Sequence, residues 1–213
     1  VIKFEDVVFW YRKDKPFGPF NLQFESGKVN VIIGANGAGK STLIQLILGR
    51  IHPKSGVLNV VGNISYMPDD LLFPRYLKVK EIITLLANYK HAEANQINAV
   101  LNSVGLLDQS NDYVKSFSKG MVQRVNIAQS LLGNADTLIM DEPTNGLDPN
   151  WIYKLTKIID KEKELGKTII ISTHQLDFAL KVADKIMIMK DRRLLNVVDN
   201  QAVNESELRA YYQ

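Results

Sequence analysis

The stretch GANGAGKST, residues 34–42, constrains the fold of this chain more than any other. It fits G-x-x-x-x-G-K-[ST] at Gly34, Gly39, Lys40 and Ser41, directly after the apolar run VNVII and before a segment whose Leu43, Leu46 and Ile47 recur at helical spacing. That order predicts a strand feeding a helix through a glycine loop, with Gly49 as the helix stop. Glycines let the backbone curl so that N–H groups face an anion, and the helix N-terminus adds its partial positive charge. Lys40 then reaches the terminal phosphates of a nucleotide, and Ser41 is placed to ligate magnesium. Asn36, Gly37 and Ala38 complete the loop, and Thr42 follows the magnesium serine into the helix.

The rest of the chain supplies a sheet for such a unit. Phe20, Leu22 and Phe24 alternate before the turn ESGK, so residues 1–33 read as strands. TLIM at 137–140, TIIIS at 168–172 and KIMIM at 185–189 are short apolar runs separated by helical patterns, which predicts a largely parallel sheet covered on both faces. Between them, about 70 to 132, the pattern turns helical: VKEIITLLANYK is followed by Ile97, Val100, Leu101 and Val104 on one face, ending at Gly105. A single domain over residues 1–213 with an inserted helical subdomain at about 70–132 is expected, the tail ESELRAYYQ leaving little room for another.

Composition excludes several classes. The chain has 213 residues, 46% hydrophobic and 23% charged, close to the globular average. No run approaches the roughly eighteen apolar residues of a membrane span. A net charge of +3 without a basic cluster does not point to nucleic acid, and no direct nucleic acid partner is expected. Zero cysteines exclude disulfides and thiolate metal sites and suit the cytosol. The chain opens on VIKFEDVVFWY with no leader pattern and no methionine, which suggests a trimmed terminus.

The run TLIMDEPTNGLDP carries an apolar strand straight into Asp141 and Glu142. Ligands gather where strands of such sheets end. Asp141 is placed to hold magnesium, and Glu142 to accept a hydrogen bond from a water attacking a terminal phosphate.

Taken together, GANGAGKST, LIMDEPTNGLDP, ISTHQ and SFSKGMVQR make the chain resemble the ATP-binding cassette (ABC) ATPases, the nucleotide-binding subunits of ABC transporters. The resemblance covers essentially the whole chain, with its elements in the family's order. It implies an α/β fold: a P-loop NTPase-like ABC ATPase core with an N-terminal antiparallel β subdomain and an inserted helical subdomain. Gly34 through Thr42 correspond to Walker A, and Asp141 and Glu142 to the Walker B acid and the catalytic glutamate. Asp148, in NGLD, corresponds to the D-loop aspartate that couples two nucleotide sites. His174 corresponds to the switch histidine at the terminal phosphate. An aromatic upstream of the loop lysine stacks on adenine in this family, a place that corresponds to Tyr11, with the neighbouring Trp10 as its competitor. Asp69, in ISYMPDD, stands where the family has the Q-loop glutamine, and as a carboxylate it could ligate the metal. The apolar LLFPRYL that follows either meets a membrane subunit or covers the subdomain core.

SFSKGMVQR stands where Leu-Ser-Gly-Gly-Gln is usual in the signature of the family. Ser118 can cap the following helix or reach the terminal phosphate of a partner's ATP, and Gly120 leaves its backbone N–H open to the same oxygens. Lys119 opposes the helix dipole. A facing triphosphate would offset that, whereas a lysine in solvent would not use it. Met121, Val125, Ala128 and Leu132 are expected to form the buried stripe of the helix.

The resemblance implies a subunit that binds ATP and Mg²⁺, forms a homodimer or heterodimer with another ABC ATPase around two ATP molecules, and drives a separate transmembrane permease. It would be cytoplasmic, peripheral on the inner face of the cell membrane. SKGM in place of SGGQ resembles the branch that serves ABC-2 exporters. A soluble ABC ATPase acting on the ribosome or nucleic acid is the alternative. Such relatives usually carry two cassettes or a long coiled-coil insertion.

Overall fold

The computed structural model describes residues 1–200 and Leu208; the remainder of the tail ESELRAYYQ lies outside the described residues. In chain order the elements are β1 (Ile2–Phe9), β2 (Phe17–Phe24), β3 (Val29–Ile33), α1 (Lys40–Ile47), β4 (Ser55–Val60), β5 (Ile64–Met67), α2 (Val79–Tyr89) and α3 (Ala94–Ser103). They continue with α4 (Lys119–Ser130), β6 (Thr137–Asp141), α5 (Pro149–Glu164), β7 (Thr168–Thr173), α6 (Leu176–Val182), β8 (Lys185–Lys190) and β9 (Arg193–Asp199). The chain divides into two compact units: Val1–Gly62 with Ile159–Gln213, and Asn63–Ile158.

The first unit holds two sheets. β1 pairs antiparallel with β2 and β4, and the alternation read from the sequence buries Phe20, Leu22 and Phe24 on one face. Phe4 closes that face, edge-on to Phe20 at 6.4 Å between ring centres. In the second sheet β3 pairs in parallel with β7 and β8, and β9 adds antiparallel to β8. Every residue of β3 and β7 is buried, as strands covered on both faces require. Register then sets the site. Ile33 pairs with Thr173 and with Ile188, so Gly34 and His174 leave their strands at the same level, that of Met189 in β8.

The second unit pairs β5 in parallel with β6 and contains α2, α3 and α4. Its register ends with Met67 opposite Met140, so Pro68 and Asp69 follow β5 beside the place where β6 ends in Asp141 and the chain continues into Glu142. The helical stretch expected at 70–132 lies within this unit. α2 is capped by the Glu81 carboxylate, which accepts from the Lys78 N–H at 2.7 Å. α3 ends at Gly105, whose φ of +60° only glycine adopts cheaply. Along α4, Val125 and Ala128 are buried as expected, as is Leu132 just past its end, but Met121 is only half-buried, because the first turn of the helix is open to solvent.

Candidate functional site

In the first unit the loop 34–39 turns through a hydrogen bond from the Ala38 N–H to the Ala35 carbonyl at 3.1 Å. Gly39 caps α1 at φ +105°, and a Cβ there would lie 2.3 Å from the Phe17 ring. Backbone angle and space therefore both demand glycine. Lys40 is buried at 6% exposure and its Nζ donates to the Gly34 carbonyl at 2.8 Å, so its charge is held inside the curl of the loop. Ala35, Asn36, Gly37 and Ser41 are exposed, and Thr42 is half-buried. A cavity of about 220 Å³ is lined by Gly34 to Ala38 and by Ile188 to Asp191. The β8–β9 turn supports it: Asp191 and Arg192 both have positive φ, and the Arg192 N–H donates to the Ala38 carbonyl at 3.1 Å. The sequence reading missed this support. Adjacent Asp-Arg is a weak turn signal, and nothing local ties it to a loop so far upstream.

His174 is exposed at the end of β7, followed by Gln175, whose N–H donates to the Thr173 hydroxyl at 3.0 Å. Tyr11 is 72% exposed and meets Phe9 edge-on at 4.7 Å, whereas Trp10 is half-buried. Of the two aromatics, Tyr11 offers the open ring face.

In the second unit β6 delivers Asp141 and Glu142 at 6% and 8% exposure. Glu142 takes φ +46°, a left-handed conformation that costs a non-glycine residue about 1–3 kcal/mol and clusters at functional sites. The turn to Asp148 is held from several sides. Asn145 N–H donates to the Glu142 carbonyl at 3.1 Å, and Gln123 Nε2 to the Pro143 carbonyl at 3.2 Å. Asp69 is exposed, and its Oδ1 accepts from Asn145 Nδ2 at 2.6 Å. Asp148 Oδ1 caps α5 by accepting from the Trp151 N–H at 2.9 Å. Arg124 lies 4.2 Å from the Trp151 ring centre, and burial pulls its guanidinium below its ordinary value, against the opposing charge of Asp148.

Ser118 caps α4 by accepting from the Met121 N–H at 3.2 Å. A Cβ at Gly120 would lie 2.7 Å from the Gly146 carbonyl, so that position admits only glycine. The stem of Lys119, itself exposed, runs beside Gly146, its carbons 3.0–3.3 Å from where a Cβ would stand. Signature helix and turn are thus in direct contact within this unit. Asn145, Gln123 and Trp151 were missed by sequence reasoning, because each acts through a partner distant in the chain.

Residues 17–145 match the family model described as ABC transporter. The chain belongs to that family. It is an ATP-binding subunit of the ABC type and an ATPase, with the P-loop core expected from Gly34–Thr42. A second model, of an AAA domain, matches residues 113–180. The bacitracin transport ATP-binding protein BcrA of Bacillus licheniformis is 33% identical over 212 residues, covering 93% of this chain and 69% of that protein. The lantibiotic transport ATP-binding protein SrtF of Streptococcus pyogenes is 34% identical over 210 residues, covering 92% and 89%. A solved structure described as the ATP binding subunit of an ABC transporter matches with a TM-score of 0.87 at 25% identity, over 99% of this chain and 98% of that one.

Proposed function

We propose that this ABC ATPase drives export through a separate membrane permease, working as a dimer that encloses two ATP molecules. The observation that carries the nucleotide half of this reading is the phosphate loop, with Lys40 held inside its curl. Loop N–H groups and Lys40 bind the phosphates, and Tyr11 stacks on the base. Glu142 accepts a proton from the water whose oxygen bonds to the terminal phosphorus as the bond to ADP breaks, and His174 steadies that phosphate. Ser118, Lys119 and Gly120 face the nucleotide of the partner subunit, and Asp148 belongs to the link between the two sites.

Magnesium fits the donors present. Ser41 and Asp141 offer only oxygen, and among the described residues no cluster of three or more His, Cys, Asp or Glu could hold a metal alone. A hard cation with few protein ligands completes its shell with phosphate and water, and its charge offsets that of the phosphates.

Among the described residues no helix is long and apolar enough to cross a membrane. The relatives named as transport ATP-binding proteins support a separate permease, with this subunit on the inner membrane face. Leu72 and Tyr76, 91% and 79% exposed in the LLFPRYL segment, suit its docking better than they suit a core. The names of the bacitracin and lantibiotic relatives support export of peptide-like compounds. Glu142→Gln tests the reading: it should trap an ATP-dependent dimer by analytical ultracentrifugation while hydrolysis collapses. A membrane protein should co-purify with the wild-type chain from native membranes, and recovery of ribosomes instead would overturn the transport reading.

A further inference from the structure

Asp69 holds a position where a metal ligand was expected, yet the structure gives its carboxylate a different partner. Oδ1 accepts from the side-chain amide of Asn145 at 2.6 Å, a charge-assisted bond of the short kind. The N–H of the same Asn145 donates to the carbonyl of Glu142. A path of three residues therefore runs from the end of β5 to the left-handed backbone of Glu142. Its near end is anchored. Asn126, 1% exposed on α4, donates through Nδ2 to the Pro68 carbonyl at 2.6 Å, and Gln129, 4% exposed, donates to the Tyr66 carbonyl at 3.1 Å. The residues just before Asp69 are thus fixed by buried amides, and Asp69 extends that fixed edge toward the turn.

We propose that Asp69 is a positioning residue, whose carboxylate anchors Asn145 and through it holds Glu142 in the backbone conformation that hydrolysis requires. The shared edge of β5 and β6 makes this possible, since Pro68, just past β5, lies at the level of Asp141, the last residue of β6. Glutamine at this place would present a longer side chain with its own donor; aspartate is a pure acceptor, matched to the amide it meets. The proposal rests on Glu142 as the base of the reaction.

Hydrolysis by purified Asp69→Ala, Asn145→Ala, their double variant, Asp69→Asn, and the exchange Asp69→Asn with Asn145→Asp tests it, with ATP and Mg²⁺ titrated separately. Each alanine variant should lower kcat about tenfold, and the double variant no further, because residues acting as one unit are not additive. Asp69→Asn keeps an acceptor and should recover most of the loss. Asn145→Asp alone, two carboxylates face to face, should be the worst single change, and the exchange should rescue it to within about threefold of wild type. KM for ATP and half-saturating Mg²⁺ should stay within about twofold, since binding is untouched. The proposal is overturned if the alanine losses multiply, or if Asp69→Asn is as damaged as Asp69→Ala and needs more Mg²⁺, the mark of a metal ligand. Failure of the underlying reading shows separately: Glu142→Gln would then hydrolyse normally, while coupling between Asp69 and Asn145 in thermal unfolding would still report the latch.

Discussion

The phosphate loop and the turn that follows Glu142 do comparable work by opposite means. The loop is shaped mainly by its own residues: Gly37 and Gly39 take positive φ, Ala38 closes a turn on Ala35, and Lys40 reaches back to Gly34. The turn is shaped by residues from elsewhere in its unit: Asp69 after β5, Lys119, Gly120, Gln123 and Arg124 on α4, and Trp151 on α5. A loop of the first kind travels as a contiguous motif. A turn of the second kind responds to whatever moves its neighbours, which suits a segment expected to link two nucleotide sites.

Breaking the comparison at the chemistry should have the largest effect. Glu142→Gln removes the base and should lower steady-state ATPase about a hundred- to ten-thousand-fold while ATP still binds. Next comes the loop itself. Gly39→Ala meets both an angle of +105° and the Phe17 ring, and should weaken nucleotide binding by about tenfold or more in titration calorimetry. Gly37→Ala, at +83° with nothing within 4 Å, should cost only about 1 kcal/mol of strain. If the two alanines were equally damaging, the loop would not be shaped as described.

The turn can be loosened without touching the chemistry. Trp151→Ala removes the ring that stacks on Arg124 and should cost about 2 kcal/mol in denaturant unfolding, with kcat falling more than ATP affinity. The smallest effect belongs to the sheet that carries the loop. Glu25, just before β3, is held below the ordinary carboxylate range by hydrogen bonding to Lys185 and then to Lys28. Its contribution should be present above the ordinary carboxylate value and fade as pH falls through the lowered one, because protonation removes the partner of both lysines. Since these groups are all reached by solvent, Lys28 exposed and Glu25 and Lys185 in part, salt screens them, and the fall in the urea midpoint should vanish in Glu25→Gln and shrink at high ionic strength.

Much of this was legible in the chain. Full burial of VNVII and TIIIS, the helix stops at Gly49 and Gly105, and the cap at Ser118 follow from local rules of periodicity and backbone conformation. The antiparallel addition of β9 and its turn against the loop did not follow, because an edge strand with mixed exposure has no distinctive period. The open position of Met121 was hidden for a related reason. Periodicity marks a stripe but does not say where along the helix the packing begins.

By itself the sequence determined the chemistry: a glycine loop after a strand, a lysine and a serine at the helix start, and two carboxylates where another strand ends. These are short-range patterns, and a few neighbouring residues suffice to set them. Only the tertiary structure decided what Asp69 touches. Asn145 stands 76 positions away, and the two meet because β5 and β6 pair in a register that brings Met67 opposite Met140. A one-residue slip would turn every side chain to the other face, so a contact of this kind is a property of the register and of the packing that holds it.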